Sequence, residues 1–213
     1  MSREVELVKP AEIEARSFAI ITAELAAMGC VLEGDNADVI KRVIHTTADF
    51  DYRHTLYFSE QAVQHALQAI QQGAHIVTDT NMGKAGINGR ILARYGGEVH
   101  CFMADDDVAA MAKVQGTTRA VASMEKAARL EQPCIFAIGN APTALLHLCD
   151  LIEAGRLQPA FIIGAPVGFV NVEAAKERLL AQQVPCIVAQ GRKGGSNVAA
   201  AVCNALLYKL GRD

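Results

Sequence analysis

Pro185-Cys186-Ile187-Val188-Ala189-Gln190-Gly191-Arg192-Lys193-Gly194-Gly195-Ser196-Asn197, running into the Ala-, Val- and Leu-rich segment Val198 to Leu210, decides the fold. An apolar run, a glycine-rich turn and a helix-spaced run, in that order, read as buried strand, loop and helix start. Such a loop suits an anion. The first turn of a helix leaves backbone N–H groups without partners and carries about half a positive charge. Gly191, Gly194 and Gly195 let an acidic group approach the main chain, Arg192 and Lys193 add full charges, and Ser196 begins the helix. In a phosphate-binding P-loop the Lys follows the glycines and directly precedes Ser or Thr, so this order specifies an acidic ligand without specifying a nucleotide. The plainer reading is a surface turn with two solvated charges.

Working outward, the same grammar repeats. Candidate strands are His75-Ile76-Val77-Thr78, Val99-His100-Cys101-Phe102, Cys134-Ile135-Phe136-Ala137-Ile138, Ala160-Phe161-Ile162-Ile163 and Cys186-Ile187-Val188-Ala189. Helical segments separate them, over 88–95, 107–130 with a break near Gly116, 143–154 and 172–182. Short apolar strands alternating with helices predict a single α/β domain over 1–213, with a mainly parallel, five-stranded sheet and helices on both faces. An N-terminal helical segment precedes it. Pro10 opens a first helix with Ile13, Phe18, Ile21, Leu25 and Met28 at helical spacing, and Gly29 ends it. A second covers Asp38 to about Thr46, and a third runs to Gln72 with Ser59 as its N-cap. In parallel sheets ligands bind beyond the carboxyl ends of the strands. That rule selects the loops 79–84, 104–107, 139–143, 164–169 and 190–197 as the rim of a broad polar cleft.

Composition narrows the field. Of 213 residues 51% are hydrophobic, aromatics are scarce and Trp is absent, as in sheets covered by aliphatic helices. A net charge of −3 and the lack of any basic run interleaved with aromatics argue against nucleic acid. The longest apolar run, Ala160 to Val170, is interrupted by Gly164, Pro166 and Gly168 and is too short to span a membrane. Met1 to Glu6 shows no apolar signal core, so a cytoplasmic protein is expected. Six widely spaced cysteines without a Cys-x-x-Cys read as reduced core residues.

Arg42 and His45 stand three apart in the second helix and share a face. Histidine donates or accepts a proton near neutrality, which makes His45 the candidate acid or base; a lone histidine is more often structural. The remaining histidines form no His-x-x-x-His or His-Glu motif. Asp105-Asp106-Asp107 suits a helix cap better than a cation. Asp79 fits either a base or a turn-and-cap acceptor, and Gly139-Asn140-Ala141-Pro142-Thr143 is a helix start in its own right. Neither a Gly-x-Ser-x-Gly elbow nor a Gly-x-Gly-x-x-Gly fingerprint in the first βα unit is present.

Taken as a set, six segments resemble one family. They are Glu14-Ala15-Arg16-Ser17-Phe18, Arg42-Val43-Ile44-His45-Thr46-Thr47-Ala48-Asp49, Thr78-Asp79-Thr80-Asn81-Met82, Gly139-Asn140-Ala141-Pro142-Thr143-Ala144-Leu145, Pro166-Val167-Gly168-Phe169 and Gly191-Arg192-Lys193-Gly194-Gly195-Ser196. Their order, from about Lys9 to Leu210, is similar to that in the precorrin-8X methylmutases, including cobalt-precorrin-8 methylmutases, of vitamin B12 ring synthesis. The resemblance implies an isomerase that moves a methyl group from C-11 to C-12 of a tetrapyrrole, giving hydrogenobyrinate or cobyrinate. It implies no external methyl donor, redox cofactor or protein metal site, since any cobalt arrives within the substrate. It implies His45 as the acid that protonates the macrocycle, substrate contacts at Ser17 and Arg42, and a homodimer.

A polycarboxylate tetrapyrrole needs cations and helix starts at its rim and an apolar floor beneath. Arg42, Arg119, Arg192 and Lys193 are the candidate rim cations. Thr78, Asp79, Asn81, Asn140, Gly168, Gly191, Gly194, Gly195 and Ser196 complete the expected binding set. Two other classes compete: a corrinoid carrier without chemistry, and a nucleotide- or S-adenosylmethionine-dependent transferase. The missing dinucleotide fingerprint weighs against the last.

Overall fold

Period-two alternation builds the sheet. In the computed structural model, which describes residues 7–211, Cys134, Phe136 and Ile138 of one strand enter one apolar cluster, and Ile135 and Ala137 the other. The strands 161–164 and 186–189 divide in the same way, with Ile162 and Val188 on one face and Phe161, Ile163 and Ile187 on the opposite face. Both faces are therefore dry, as helices on both sides require. The stretch Met1 to Glu6, read above for a signal core, lies outside the described residues.

The chain begins with a 3₁₀ turn, Pro10–Glu12, then α1 (Ile13–Ala27), α2 (Asn36–Thr47), α3 (Tyr52–Thr55), β1 (Leu56–Phe58) and α4 (Ala62–Gln71). Next come β2 (His75–Thr78), α5 (Asn81–Gly86), α6 (Gly89–Ala93), β3 (Val99–His100), α7 (Asp106–Gln115) and α8 (Arg119–Ala127). The last third is β4 (Cys134–Ile138), α9 (Pro142–Glu153), β5 (Phe161–Gly164), α10 (Val172–Leu180), β6 (Cys186–Ala189) and α11 (Ser196–Lys209). One six-stranded sheet results, in the order β1-β6-β5-β4-β2-β3. Every pairing is parallel except β1 with β6.

The expected α/β architecture holds, with one strand more than expected. β1 escapes sequence reading because it has three residues, follows a helical turn directly, and pairs only with a strand far along the chain. Ser59 is a second correction. Its hydroxyl accepts from the Cys186 N–H at 2.9 Å, joining the end of β1 to β6, while α4 starts at Ala62 after Gln61 in the left-handed region. The third strand stops at His100, because Asp105 N–H closes a turn onto the Phe102 carbonyl. The break near Gly116 appears as expected, with Gly116 in the left-handed conformation ending α7. All six cysteines are free, and burial pushes the thiols of Cys134, Cys149 and Cys186 up to about 11.

α11 is the central helix. Val198, Ala199, Ala200, Ala201, Val202 and Cys203 are all buried, and small side chains let α2, α4 and α5 pack close around it. No helix among the described residues is long and apolar enough to cross a membrane.

Candidate active site

α1 meets the face of α2 that carries Arg42 and His45. Phe18 stands against both: its ring stacks on the His45 imidazole at 5.4 Å, and the Arg42 guanidinium lies 4.6 Å over it. Arg42 also lies 5.1 Å from the Tyr208 ring and bonds both carboxylate oxygens of Glu14 at 3.0 Å. At 9% exposure, the guanidinium is held by aromatic faces and a forked carboxylate, a combination that Arg serves and Lys does not. The structure thus places Arg42 in the wall of a cavity of about 420 Å³, with Glu14, Phe18, Tyr208 and Lys209. His45 stays exposed in the last turn of α2. With Ser17, Ile20, Ile44 and Phe50 it lines a neighbouring cleft of about 210 Å³. Ser17, Arg42 and His45 are therefore gathered around Phe18, which spacing marks only as an apolar position.

The loop between β6 and α11 has the expected strand–glycine–helix form. Its organiser is a residue that sequence reading missed. Lys176 of α10 is 2% exposed and donates to the carbonyls of Gly191 at 2.7 Å and Lys193 at 2.8 Å. Burial pulls its ammonium down to about 8. A run reading Glu-Ala-Ala-Lys-Glu looks like a solvated helix face, so sequence offers no sign of this. Gly194 has no room for a side chain, since a Cβ would stand 2.2 Å from the Ala165 carbonyl oxygen. The glycine there serves loop-on-loop packing. The loop's charges are engaged within the chain: Arg192 pairs with Glu173 at 3.0 Å and stacks over Phe169, while Lys193 reaches Asp49 and Asp51 at 2.7 Å each. Asp49 and Asp51 follow α2, so Lys193 ties the glycine loop to the segment that carries His45.

The strand order reverses direction between β2 and β4, the place where such sheets open a ligand crevice. Here the chain fills it. Asp79 is 1% exposed and accepts from the N–H groups of Gly139 (2.9 Å), Asn140 (2.8 Å) and Ala141 (2.6 Å) at the start of α9. Burial pushes its carboxyl above the usual range, opposed by those three bonds. Of its two sequence readings, the geometry matches the cap acceptor.

The remaining expected residues fall into two groups. Thr78 is buried, its hydroxyl donating to the Thr80 and His100 carbonyls, and Ser196 shares a 2.7 Å hydroxyl contact with Thr80. Asn81 opens α5, and Asn140 is exposed beside the Asp79 clamp. Arg119 is exposed at the start of α8, where Thr118 meets Thr143 of α9, and it makes no ion pair among the described residues. Gly168 (φ +139°) and Gly191 (φ +69°) take backbone angles that favour glycine, and Gly195 (φ +133°) is buried. Beside Gly168, Val167, Phe169 and Val170 expose apolar surface. Cations, helix starts and exposed apolar side chains thus meet at one end of the sheet.

A mainly parallel sheet with helix starts and glycine loops at its carboxyl edge, next to an exposed histidine stacked on an aromatic ring, is the architecture of an α/β enzyme. Residues 12–209 match the family described as CbiC: Precorrin-8X methylmutase, and the chain belongs to that family, whose members are isomerases. It is 43% identical over 206 residues to the cobalt-precorrin-8 methylmutase of Salmonella typhimurium (95% of this chain, 96% of the relative). It is 42% identical over 199 residues to that of Priestia megaterium (93% and 88%). The precorrin-8x methyl mutase structure from Thermus thermophilus superposes with a TM-score of 0.82 at 40% identity, covering 92% of this chain and 96% of that one.

Proposed function

We propose that this methylmutase moves a methyl group from C-11 to the adjacent C-12 of precorrin-8X or cobalt-precorrin-8, with His45 protonating the macrocycle. The observation that carries the assignment is the setting of His45: exposed in the last turn of α2, stacked on Phe18 and sharing a cleft with Ser17. A flat, apolar ring needs an apolar floor for orientation and a proton donor at its edge. Protonation withdraws electron density from the conjugated ring, one C–CH₃ bond breaks as its neighbour forms, and the proton returns to His45. Atoms balance without a methyl donor, redox cofactor or protein-bound metal. Arg119, Arg192 and Lys193, with the start of α11, are the groups that would meet the acetate and propionate carboxylates of the ring. The names of the Salmonella and Priestia relatives support a substrate that already carries cobalt. The family resemblance further supports a homodimer working in the cytoplasm.

The test mixes purified protein with the precorrin-8 substrate, with and without cobalt, and follows the visible spectrum. Conversion should proceed without added donor. His45→Ala should still bind but turn over about 10²–10⁴-fold more slowly, the usual cost of losing a positioned acid. Parent-like turnover in His45→Ala would refute the acid assignment. A single spectral shift proportional to protein, with no turnover, would instead mean a carrier.

A further inference from the structure

The far edge of the sheet carries a cluster that the methyl transfer does not use. Adjacent positions on β2 and β3 are in parallel register, Ile76 opposite Val99 and Val77 opposite His100. Period-two alternation therefore puts His75 and Val77 of β2 on the same face as His100 of β3 and Glu98, the residue just before that strand. His75 Nδ1 lies 2.7 Å from His100 Nε2, with the rings stacked at 5.0 Å and 11°. The carboxylate of Glu98 joins them, so that one ligand atom from each of the three residues lies within 4.8 Å of the others. Both histidines are half-buried and Glu98 is exposed, which leaves a solvent path to the cluster. Phe102 stacks on His100 at 5.6 Å and holds its ring.

The geometry points to a divalent transition-metal site formed by His75, Glu98 and His100. Two imidazole nitrogens and one carboxylate oxygen are the donors that favour zinc, cobalt or nickel over magnesium or calcium. Two nitrogens each about 2.0–2.1 Å from a tetrahedral ion stand about 3.3 Å apart. In the structure the facing nitrogens stand 2.7 Å apart, so metal binding requires both half-buried rings to turn and move apart. With three protein ligands, water takes the fourth position. β3 lies four strand spacings from β6, roughly 19 Å, so the metal is separate from the glycine loop. It clasps the two-residue edge strand β3, which has a strand partner on one side only, to β2.

Untagged protein titrated with Co²⁺ alone should take up one equivalent and develop the visible d–d absorption of a tetrahedral ion; Zn²⁺ should then bleach it. Zn²⁺ should also raise the thermal midpoint. Removal of mere outer-shell partners already costs about 10–100-fold in metal affinity, so His100→Ala should lose at least that much. Glu98→Gln, exposed and isosteric, keeps the fold and should weaken binding at least tenfold while abolishing the zinc-dependent rise. Absence of saturable binding by the parent overturns the site, as does parent-like affinity in either variant with its circular dichroism intact.

Discussion

The turn after β4 and the turn after β6 follow one local pattern, strand then glycine then helix start, but they are completed in opposite ways. After β4, the N–H groups of Gly139, Asn140 and Ala141 close on the chain's own Asp79, and the anion site is satisfied internally. After β6, a buried cation organises the loop from behind: Lys176 holds the Gly191 and Lys193 carbonyls, and the exposed Arg192 and Lys193 pair with surface carboxylates of Glu173, Asp49 and Asp51. The two turns also touch, since a Cβ on Gly139 would stand 2.6 Å from Ser196 Cα. A helix start therefore predicts an anion, while the surrounding fold determines whether that anion is a side chain or a ligand.

The contrast can be broken at the Asp79 clamp. Asp79→Ala leaves three N–H donors, that of Gly139 fully buried, without their charged acceptor and should cost about 3–5 kcal/mol, read by denaturant unfolding. A loss under about 1 kcal/mol would mean that water or a ligand fills the site instead. Gly194→Ala forces a side chain against the Ala165 carbonyl and should cost about 2–3 kcal/mol, along with substrate affinity. Unchanged affinity would show that the β6 loop plays no part in binding.

Lys176 gives a pH test. Its ammonium is disfavoured in the fold, so above about 8 the unfolded chain binds more protons than the native one. Stability from this residue therefore rises with pH between about 8 and the ordinary lysine value of 10.5. Lys176→Met should remove that rise, seen as a flatter unfolding midpoint between those two pH values. The smallest stability effect belongs to the outer charges. Arg192→Ala breaks an exposed ion pair worth at most about 1 kcal/mol, whereas substrate affinity should fall by about 1.5–3 kcal/mol if the guanidinium meets a carboxylate. Equal binding by parent and variant would remove Arg192 from the rim.

Legibility followed the range of the interaction. β2, β4, β5 and β6 were plain because their alternation is local, and the division of α7 from α8 was plain because Gly116 marks it. β1 was hidden because its only ladder is with β6, across most of the chain. At the site, helical spacing marks Arg42 and His45 and the family resemblance adds Ser17, and the fold brings them around Phe18. Phe18 is legible only as an apolar helix position, and Lys176 and the His75–Glu98–His100 cluster carry no signal, because each acquires its role from side chains distant in sequence.

By itself the sequence determined the parallel sheet, its two dry faces and the positions of the loops at the carboxyl edge. Apolar periodicity and glycine act over a few residues, so neighbours suffice to read them. Only the tertiary structure decided which charges remain available. Asp79, Arg42 and Lys176 are buried and bonded within the chain, and Lys193 is tied to Asp49 and Asp51. Electrostatic pairing depends on distance in space and on burial, and for these residues the partners lie 15 to 144 positions away.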